Sequence, residues 1–241
     1  SNEIRGNAIG NSTRDGIHIE AGATETVSGN LIANHEGCGI DAATSTGANT
    51  FVNNTVTRSG LGSGAAETPG MRVGGGTTVV DRCILFENYG AGVMVASGAT
   101  AVTITRNSTY GNGTISGGLG GPNGQIGIDL LNASNSPARG TSPYFTLNDN
   151  GDGDAGGNGL LNFPVLETAT ISVTSLTMTG WARPGSAIEL FIAAPDPSGF
   201  GEGQTYQTRV TEGTGADLDA TTGPYAGPIN GVKQGTDNTN R

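Results

Sequence analysis

The first 130 residues repeat themselves at intervals of about 24 residues. Measured at the first large apolar residue of each unit, the five units start at Ile4, Val27, Phe51, Val79 and Ile104. The steps between them are 23, 24, 28 and 25 residues. A spacing of this size predicts a solenoid, because each unit is too small to bury its own apolar face and must share a core with its neighbours.

Inside each unit the apolar residues alternate with other residues, as in Ile17-His18-Ile19 and Ile40-Asp41-Ala42. Alternation with a period of two indicates short strands with one face turned inward, and no segment shows the spacing of a helix. Glycine and asparagine separate the strands, at places where a positive φ is often required. We therefore predict an all-β fold that starts with a parallel β-helix of about five coils.

Asparagines recur at matching places in successive units, and we expect their amides to form ladders along the helix axis. The asparagines concerned are Asn7, Asn30, Asn54, Asn107, Asn11 and Asn34. Cys38 lies in the second unit and Cys83 in the fourth, roughly 10 Å apart along the axis if coils stack about 4.8 Å apart. That separation is too large for a disulfide, so we expect two free, buried thiols.

Composition limits the classes of function. The net charge is −10, which argues against nucleic acid as a partner because binding phosphates requires clustered basic residues. The charge suits a secreted or cation-binding protein, and no apolar run is long enough to insert into a membrane. Glycine is abundant, with 43 of 241 residues, but a stacked core explains this without disorder.

The repeat Asn-x-[Ile/Val]-x-x-Asn-x₄-Gly-Ile-x-Ile resembles that of the right-handed parallel β-helix proteins of the pectate-lyase-like superfamily. The resemblance extends over residues 1–140, which we take as the β-helix domain. It implies the fold more strongly than the function, because that superfamily includes lyases, hydrolases, adhesins and phage spikes.

One column of residues would carry any catalytic chemistry. The middle residue of Gly-Ile-x-Ile should face outward, which places one column of residues on one sheet at steps of about 4.8 Å, namely His18, Asp41, Arg72, Met94 and Asp129. A histidine, a carboxylate and an arginine over a shallow groove would suit a polysaccharide lyase or a glycoside hydrolase. The alternative is that these are ordinary exposed polar positions, and aromatic platforms for sugars are scarce, at 5% of residues.

A junction rich in glycine and acidic residues spans residues 141–162. Side-chain oxygens recur there at alternate positions, namely Asn148, Asn150, Asp152 and Asp154. This pattern resembles the calcium loops of EF-hand and dockerin-like proteins, although Gly159 stands where their last glutamate would be. We expect calcium as a cofactor, with Asp129 as a further ligand, because no lysine or arginine lies near these oxygens in the sequence to balance them; the alternative is a solvated linker.

Residues 163–241 show antiparallel patterns. We predict one strand over 171–178, a tight turn at Pro184-Gly185, a returning strand over 188–192 and a third strand over 206–210. The segment 180–191 resembles a hairpin of immunoglobulin-like modules in bacterial surface proteins. Because residues 211–241 contain few aliphatic side chains, we expect a partial antiparallel β-sandwich whose closing strands lie beyond Arg241.

These observations favour a non-enzymatic, extracellular segment of a large bacterial surface or filament protein. Its task would be structural or adhesive, with calcium stiffening the junction and with neighbouring domains or subunits of the same assembly as partners. A polysaccharide lyase or glycoside hydrolase acting on the exposed β-helix face is one alternative. A carbohydrate-binding module is another.

Overall fold

The computed structural model describes residues 1–64, 68–196, 199–215, 217–218 and 223–237. Five coils of three short strands each occupy the first half of the chain. The strands are, coil by coil, β1 (Asn2–Arg5), β2 (Ala8–Gly10) and β3 (Ile17–His18); β4 (Glu25–Ser28), β5 (Leu31–Ala33) and β6 (Ile40–Ala42); β7 (Thr50–Val52), β8 (Thr55–Thr57) and β9 (Met71–Val73); β10 (Thr78–Asp81), β11 (Ile84–Phe86) and β12 (Val93–Val95); and β13 (Val102–Thr105), β14 (Ser108–Tyr110) and β15 (Ile128–Leu130).

Corresponding strands of successive coils pair in parallel and form three five-stranded sheets. The first sheet contains β1, β4, β7, β10 and β13, the second β2, β5, β8, β11 and β14, and the third β3, β6, β9, β12 and β15. The predicted β-helix is therefore confirmed. One register differs from the expectation, because Val80 rather than Val79 pairs with both Phe51 and Ile104. Val80 is fully buried, whereas Val79 belongs to the other face of the strand.

A single apolar core fills the space between the sheets. Phe51, Ile32, Ile40, Met71 and Leu85 are its largest fully buried side chains. Each coil contributes few such residues, and stacking completes their burial, which explains how a chain with 34% hydrophobic residues forms this core. Both cysteines are free and buried, as predicted.

Two of the corners of every coil have the left-handed backbone conformation. The residues with positive φ are Gly6, Gly29, Asn53, Arg82 and Arg106 at one corner, and Asn11, Asn34, Arg58, Glu87 and Gly111 at the other. The prediction that Asn11 and Asn34 belong to ladders is therefore wrong. Both occupy the left-handed turn, which asparagine tolerates better than most residues, and the residue that follows each of them lies in the ladder.

The first ladder runs through Asn7, Asn30, Asn54, Cys83 and Asn107. The Oδ1 atoms of Asn30, Asn54 and Asn107 each accept the backbone N–H of the ladder residue one coil earlier, as Asn54 does for Asn30 at 3.1 Å. The Asn54 Nδ2 donates to the carbonyl of Val27 at 2.8 Å. Cys83 occupies the asparagine position of the fourth coil. The ladder thus satisfies buried corner groups that the strands leave unpaired.

The second ladder occupies the positions of Ser12, His35, Ser59, Asn88 and Asn112, and it ends at a residue far away in sequence. It is interrupted between His35 and Ser59, because the His35 N–H donates to the Arg58 carbonyl instead. Burial lowers the pKa of His35, in keeping with a neutral ring that accepts the N–H of Ser12 at Nδ1. At the last coil Glu202 accepts the N–H of Asn112. A residue of the C-terminal part therefore covers the end of the β-helix.

Residues beyond the coils form a 3₁₀ turn at Gly157–Leu160 and two separate antiparallel pairs. Strand β16 (Val165–Ile171) pairs with β17 (Leu176–Trp181), and β18 (Ala187–Ala194) pairs with β19 (Glu202–Thr211). The all-β prediction, with antiparallel sheets after the helix, is confirmed.

Two details of that prediction are wrong. The expected strand over 171–178 is divided by a turn at 172–175, where Ser172 and Ser175 bond to each other. The expected hairpin over 180–191 does not form, because β17 and β18 each pair with a different strand. The tight turn between them is present, with Ser186 N–H donating to the Arg183 carbonyl.

Part of the C-terminal stretch packs on the junction, although its sequence shows few apolar residues. Tyr225 is buried, and its hydroxyl lies 2.6 Å from the Asn148 Nδ2. Thr236 N–H donates to the Asn148 carbonyl at 3.1 Å. Polar contacts therefore hold this stretch together with the packing of Tyr225 on the ring of Trp181. Within the described part of the chain, no helix has the length and apolar character needed to cross a membrane.

Candidate functional site

The third sheet aligns the predicted catalytic candidates in one column. His18 pairs with Asp41 and Asp41 with Arg72, and the column continues through Met94 to Asp129. The sequence therefore identified the correct register for these five positions. Short strands bounded by glycine fix this register, because a shift of one residue would turn the column toward the core.

His18 is the exposed end of this column, with 45% of its side chain accessible. Its Nδ1 lies 3.3 Å from the Oδ2 atoms of both Asp15 and Asp41. Its Nε2 lies 3.8 Å from Glu20, which is too far for a hydrogen bond. An imidazole held by carboxylates at Nδ1, with Nε2 directed elsewhere, is an arrangement suited to transferring protons.

Asp41 and Arg72 form a tight, buried pair. Arg72 donates from Nε to Asp41 Oδ1 at 3.0 Å and from Nη2 to Oδ2 at 2.7 Å. Its Nη1 donates to the carbonyl of Pro137 at 3.1 Å. The guanidinium is thus engaged on all three nitrogens, and it has little capacity left to hold a substrate carboxylate.

A metal ion bound beside His18 would have to compete with protein groups for the carboxylates there. Among the described residues, Asp15, His18 and Asp41 form the one group of three potential histidine, cysteine or acidic ligands whose atoms lie within 4.8 Å of one another. Asp41 already faces the positive charge of Arg72, and Asp15 Oδ1 accepts the N–H of Cys38 at 2.8 Å. These carboxylates therefore have protein partners that stabilise them without a cation.

The chain itself covers the rest of the column. After β15 the segment 131–147 returns along the outer face of the third sheet, where Arg72 bonds to Pro137 and Thr68 N–H donates to the Ala138 carbonyl. Met94 is fully buried and Asp129 is 2% exposed. The expectation of an outward-facing, exposed column is therefore wrong for the column positions that follow His18 in the sequence.

Asp129 is the least compensated carboxyl group of the column. Its Oδ2 is buried and has no hydrogen-bond partner among the described residues. Burial raises the pKa of Asp129 to about 7. In β15 burial does not follow the facing of the side chains: Ile128 continues the core row of Val93 yet is 41% exposed in the last coil, whereas Asp129 on the outer face is enclosed.

The predicted calcium ligands of the junction are largely engaged with protein groups. Asn148 bonds to both the carbonyl and the N–H of Phe163. Asp152 accepts the N–H of Asn162 and pairs with Arg183. Asn150 also has a partner.

The other two predicted calcium ligands are Asp154 and Asp129. Burial, and then the charges of Asp149 and Asp152, raises the pKa of Asp154. Asp129 belongs to no group of three clustered acidic, histidine or cysteine ligands among the described residues. These contacts engage several of the oxygens that a calcium ion would need, and the calcium site remains a prediction.

Sequence reasoning missed two residues that shape these sites. Asp15 lies three residues before His18 and bonds to it at Nδ1, a proximity that the local sequence could have suggested. Glu202 reaches the last coil from 90 residues away. No local pattern around Glu202 indicates such a contact.

Comparison with known proteins supports the architecture. Residues 1–109, which extend from β1 into β14, match the family model described as the right-handed beta helix region. No curated protein and no solved structure gave a match. Together with the three parallel sheets, this match fits a right-handed parallel β-helix in the N-terminal part of the chain.

Proposed function

We propose that this chain is a structural segment of an extracellular bacterial surface or filament protein, in which the β-helix acts as a rigid spacer between neighbouring domains. The observation that carries the proposal is that segment 131–147 covers much of the outer face of the third sheet beyond His18. The residues that could have formed a groove there bond to each other or to segment 131–147. A face occupied by its own chain suits a scaffold better than a substrate channel.

The division of the chain fits this role. We propose residues 1–140 as the helix domain, 141–162 as the junction and 163–241 as the following module, for which the immunoglobulin-like resemblance remains a prediction. Glu202 and Glu189 both accept hydrogen bonds from the last coil, at Asn112 and at the Arg106 N–H. This covering protects a strand edge that would otherwise pair with other chains.

Surface display can be tested with antibodies raised against this chain. We expect them to label intact cells of the organism that produces it, without permeabilisation. Labelling that requires permeabilised cells would contradict an extracellular role. Adhesion is then measured as retention of the purified protein on host or abiotic surfaces, with heat-unfolded protein as the control.

Calcium stiffening is tested separately. Unfolding temperatures are compared in calcium and in a chelator, for the wild-type chain and for Asp154→Asn. A calcium-dependent rise that is lost in the variant would support the site. Equal unfolding temperatures in both conditions would remove calcium from the proposal and leave the spacer role intact.

A polysaccharide lyase or hydrolase is the second candidate, favoured by the half-exposed His18 between two carboxylates. Incubation with acidic polysaccharides and detection of unsaturated or reducing products tests it. We expect no turnover. Turnover that disappears in His18→Ala but persists in Glu3→Ala, a change at an exposed position, would overturn the structural proposal. Binding of the polysaccharides without turnover would favour the carbohydrate-binding alternative.

A further inference from the structure

A cavity of about 350 Å³ lies between the end of β15 and the returning segment. Asp129 and Leu130 form one side of it, and Thr141, Pro143 and Tyr144 are among the residues on the other. Residues 141–143 are exposed at the surface, whereas Asp129 is enclosed. The volume lies in the range of sites for small organic molecules and is far larger than one ion requires.

The carboxylate of Asp129 has no compensating partner in this cavity. Its Oδ2 has no hydrogen bond, and none of the described residues that line the cavity is a lysine, arginine or histidine. A buried carboxylate without a counter-charge is unfavourable, and such a group takes up either a proton or a cationic ligand.

The backbone makes room for this oxygen. Gly140 has φ +69°, and a Cβ placed on it would lie 2.2 Å from Asp129 Oδ2 and 3.2 Å from the Tyr144 ring. Tyr144 also has a positive φ, of 66°, which is rare for a bulky residue. The conformation of Tyr144 is therefore the strained one near the unpartnered oxygen, and strained backbone of this kind is concentrated at ligand sites.

We propose that this cavity binds a small organic cation, with a primary ammonium group against the Asp129 carboxylate and an apolar body against Leu130, Tyr144 and Phe145. The ammonium supplies both the donor and the positive charge that the protein does not provide. Aromatic rings beside a carboxylate further favour a cation over a neutral molecule. This binding is independent of the spacer role.

The test uses a matched pair of probes, butylammonium and butan-1-ol, which differ mainly in charge. Binding to the isotope-labelled chain at pH 8 is followed through NMR shifts of residues 129–147. We expect butylammonium to bind at least tenfold more tightly than butan-1-ol, because the ammonium makes a charge-assisted hydrogen bond. Asp129→Asn, of nearly the same shape, should reduce the affinity at least tenfold.

The wild-type chain provides a second measurement that needs no variant. Butyrate, an anion of similar length, should bind at least tenfold more weakly than butylammonium at pH 8, because two carboxylates would then face each other in the cavity. Equal affinities for the two probes would overturn the proposal, as would binding unchanged in Asp129→Asn. Shifts of these resonances by calcium or glucose but not by butylammonium would also overturn it.

Discussion

The Glu202 carboxylate bonds to Asn112 twice, with Oε1 accepting the side-chain Nδ2 at 2.7 Å and Oε2 accepting the backbone N–H at 3.1 Å. Asn112 is the last rung of the second ladder, so Glu202 stands where the amide of a sixth coil would be. A carboxylate can satisfy both donors at once. The hairpin of β18 and β19 therefore covers the end of the solenoid with the hydrogen-bond geometry of the solenoid itself.

Removal of this contact should loosen the covered end. We expect Glu202→Ala to lower the free energy of unfolding by about 2–4 kcal/mol, because it leaves two buried donors of Asn112 unpaired. Urea unfolding followed by circular dichroism measures the change. Glu3→Ala, at an exposed pair with Arg5, is the control and should change stability by less than about 0.5 kcal/mol. Similar effects of the two variants would contradict the role of Glu202.

Substitutions of two neighbouring asparagines in one corner should differ strongly in their effect on stability. Asn54 is fully buried in the ladder, whereas Asn53 is exposed with φ 55°. We expect Asn54→Ala to cost about 2–4 kcal/mol, since the Val27 carbonyl and the Asn30 N–H lose their partners. Asn53→Gly should be neutral within about 0.5 kcal/mol, because glycine favours this conformation. Equal losses would show that the ladder is not the source of stability.

Cys83 is the interruption of the first ladder. Its Sγ lies 3.8 Å from Asn54 Nδ2, and burial raises the pKa of its thiol to about 11. Cys83→Asn would replace a weak acceptor by an amide oxygen, and we expect it to stabilise the fold by about 1 kcal/mol. In the wild-type chain a thiol reagent at pH 8 should react with neither cysteine until the chain is unfolded. Fast reaction of the folded chain would contradict their burial.

The sequence was sufficient for the coils because their signal is local and repeated. Period-two alternation defines the strands, and the repeat length aligns them, which is how His18, Asp41 and Arg72 were placed in one column. The misplacement of Val79 for Val80 shows the limit of this approach. The fourth unit has valine at both positions, and only the pairing with Phe51 decides which one faces inward.

The sites were less predictable because they depend on contacts distant in sequence. Arg72 bonds to Pro137, 65 residues away, and this return of the chain buries Asp129. The sequence pattern showed that Asp129 faces away from the core, but it contained no sign that segment 131–147 would cover that face. In the same way, Arg183 pairs with Asp152 in the folded chain. A basic residue is therefore close to the junction, although the calcium prediction assumed that there was none.

Arg72 should be important for stability rather than for substrate binding. Arg72→Ala leaves the buried Asp41 carboxylate without its main partner, and we expect a loss of about 3–5 kcal/mol. Asp41→Asn in the same chain should recover part of this loss, because the unpaired charge is then absent. The four chains of this double-mutant cycle are compared by urea unfolding. A stable Arg72→Ala chain would instead indicate an arginine reserved for a ligand.

Asp129 should make the fold less stable as the pH rises. Burial raises its pKa to about 7 from an ordinary 3.8, so the folded chain holds a proton that the unfolded chain has already released. Stability from this group is complete below about pH 4 and is lost as the pH rises through 7. At about 1.4 kcal/mol for each pKa unit, we expect a loss of roughly 2–3 kcal/mol between pH 5 and pH 8.

Burial also raises the pKa of Glu202 to about 7, so this group adds to the same trend, and the two contributions must be separated. Urea unfolding at pH 5 and pH 8 is therefore measured for the wild type, Asp129→Asn and Glu202→Gln. Asp129→Asn should flatten the pH dependence and be at least as stable as the wild type at pH 8, where the aspartate is charged and the amide is not. Glu202→Gln should retain the part of the pH dependence that Asp129 contributes. A wild-type slope preserved in Asp129→Asn would mean that this carboxyl group is ionised in the folded chain and is stabilised by a partner.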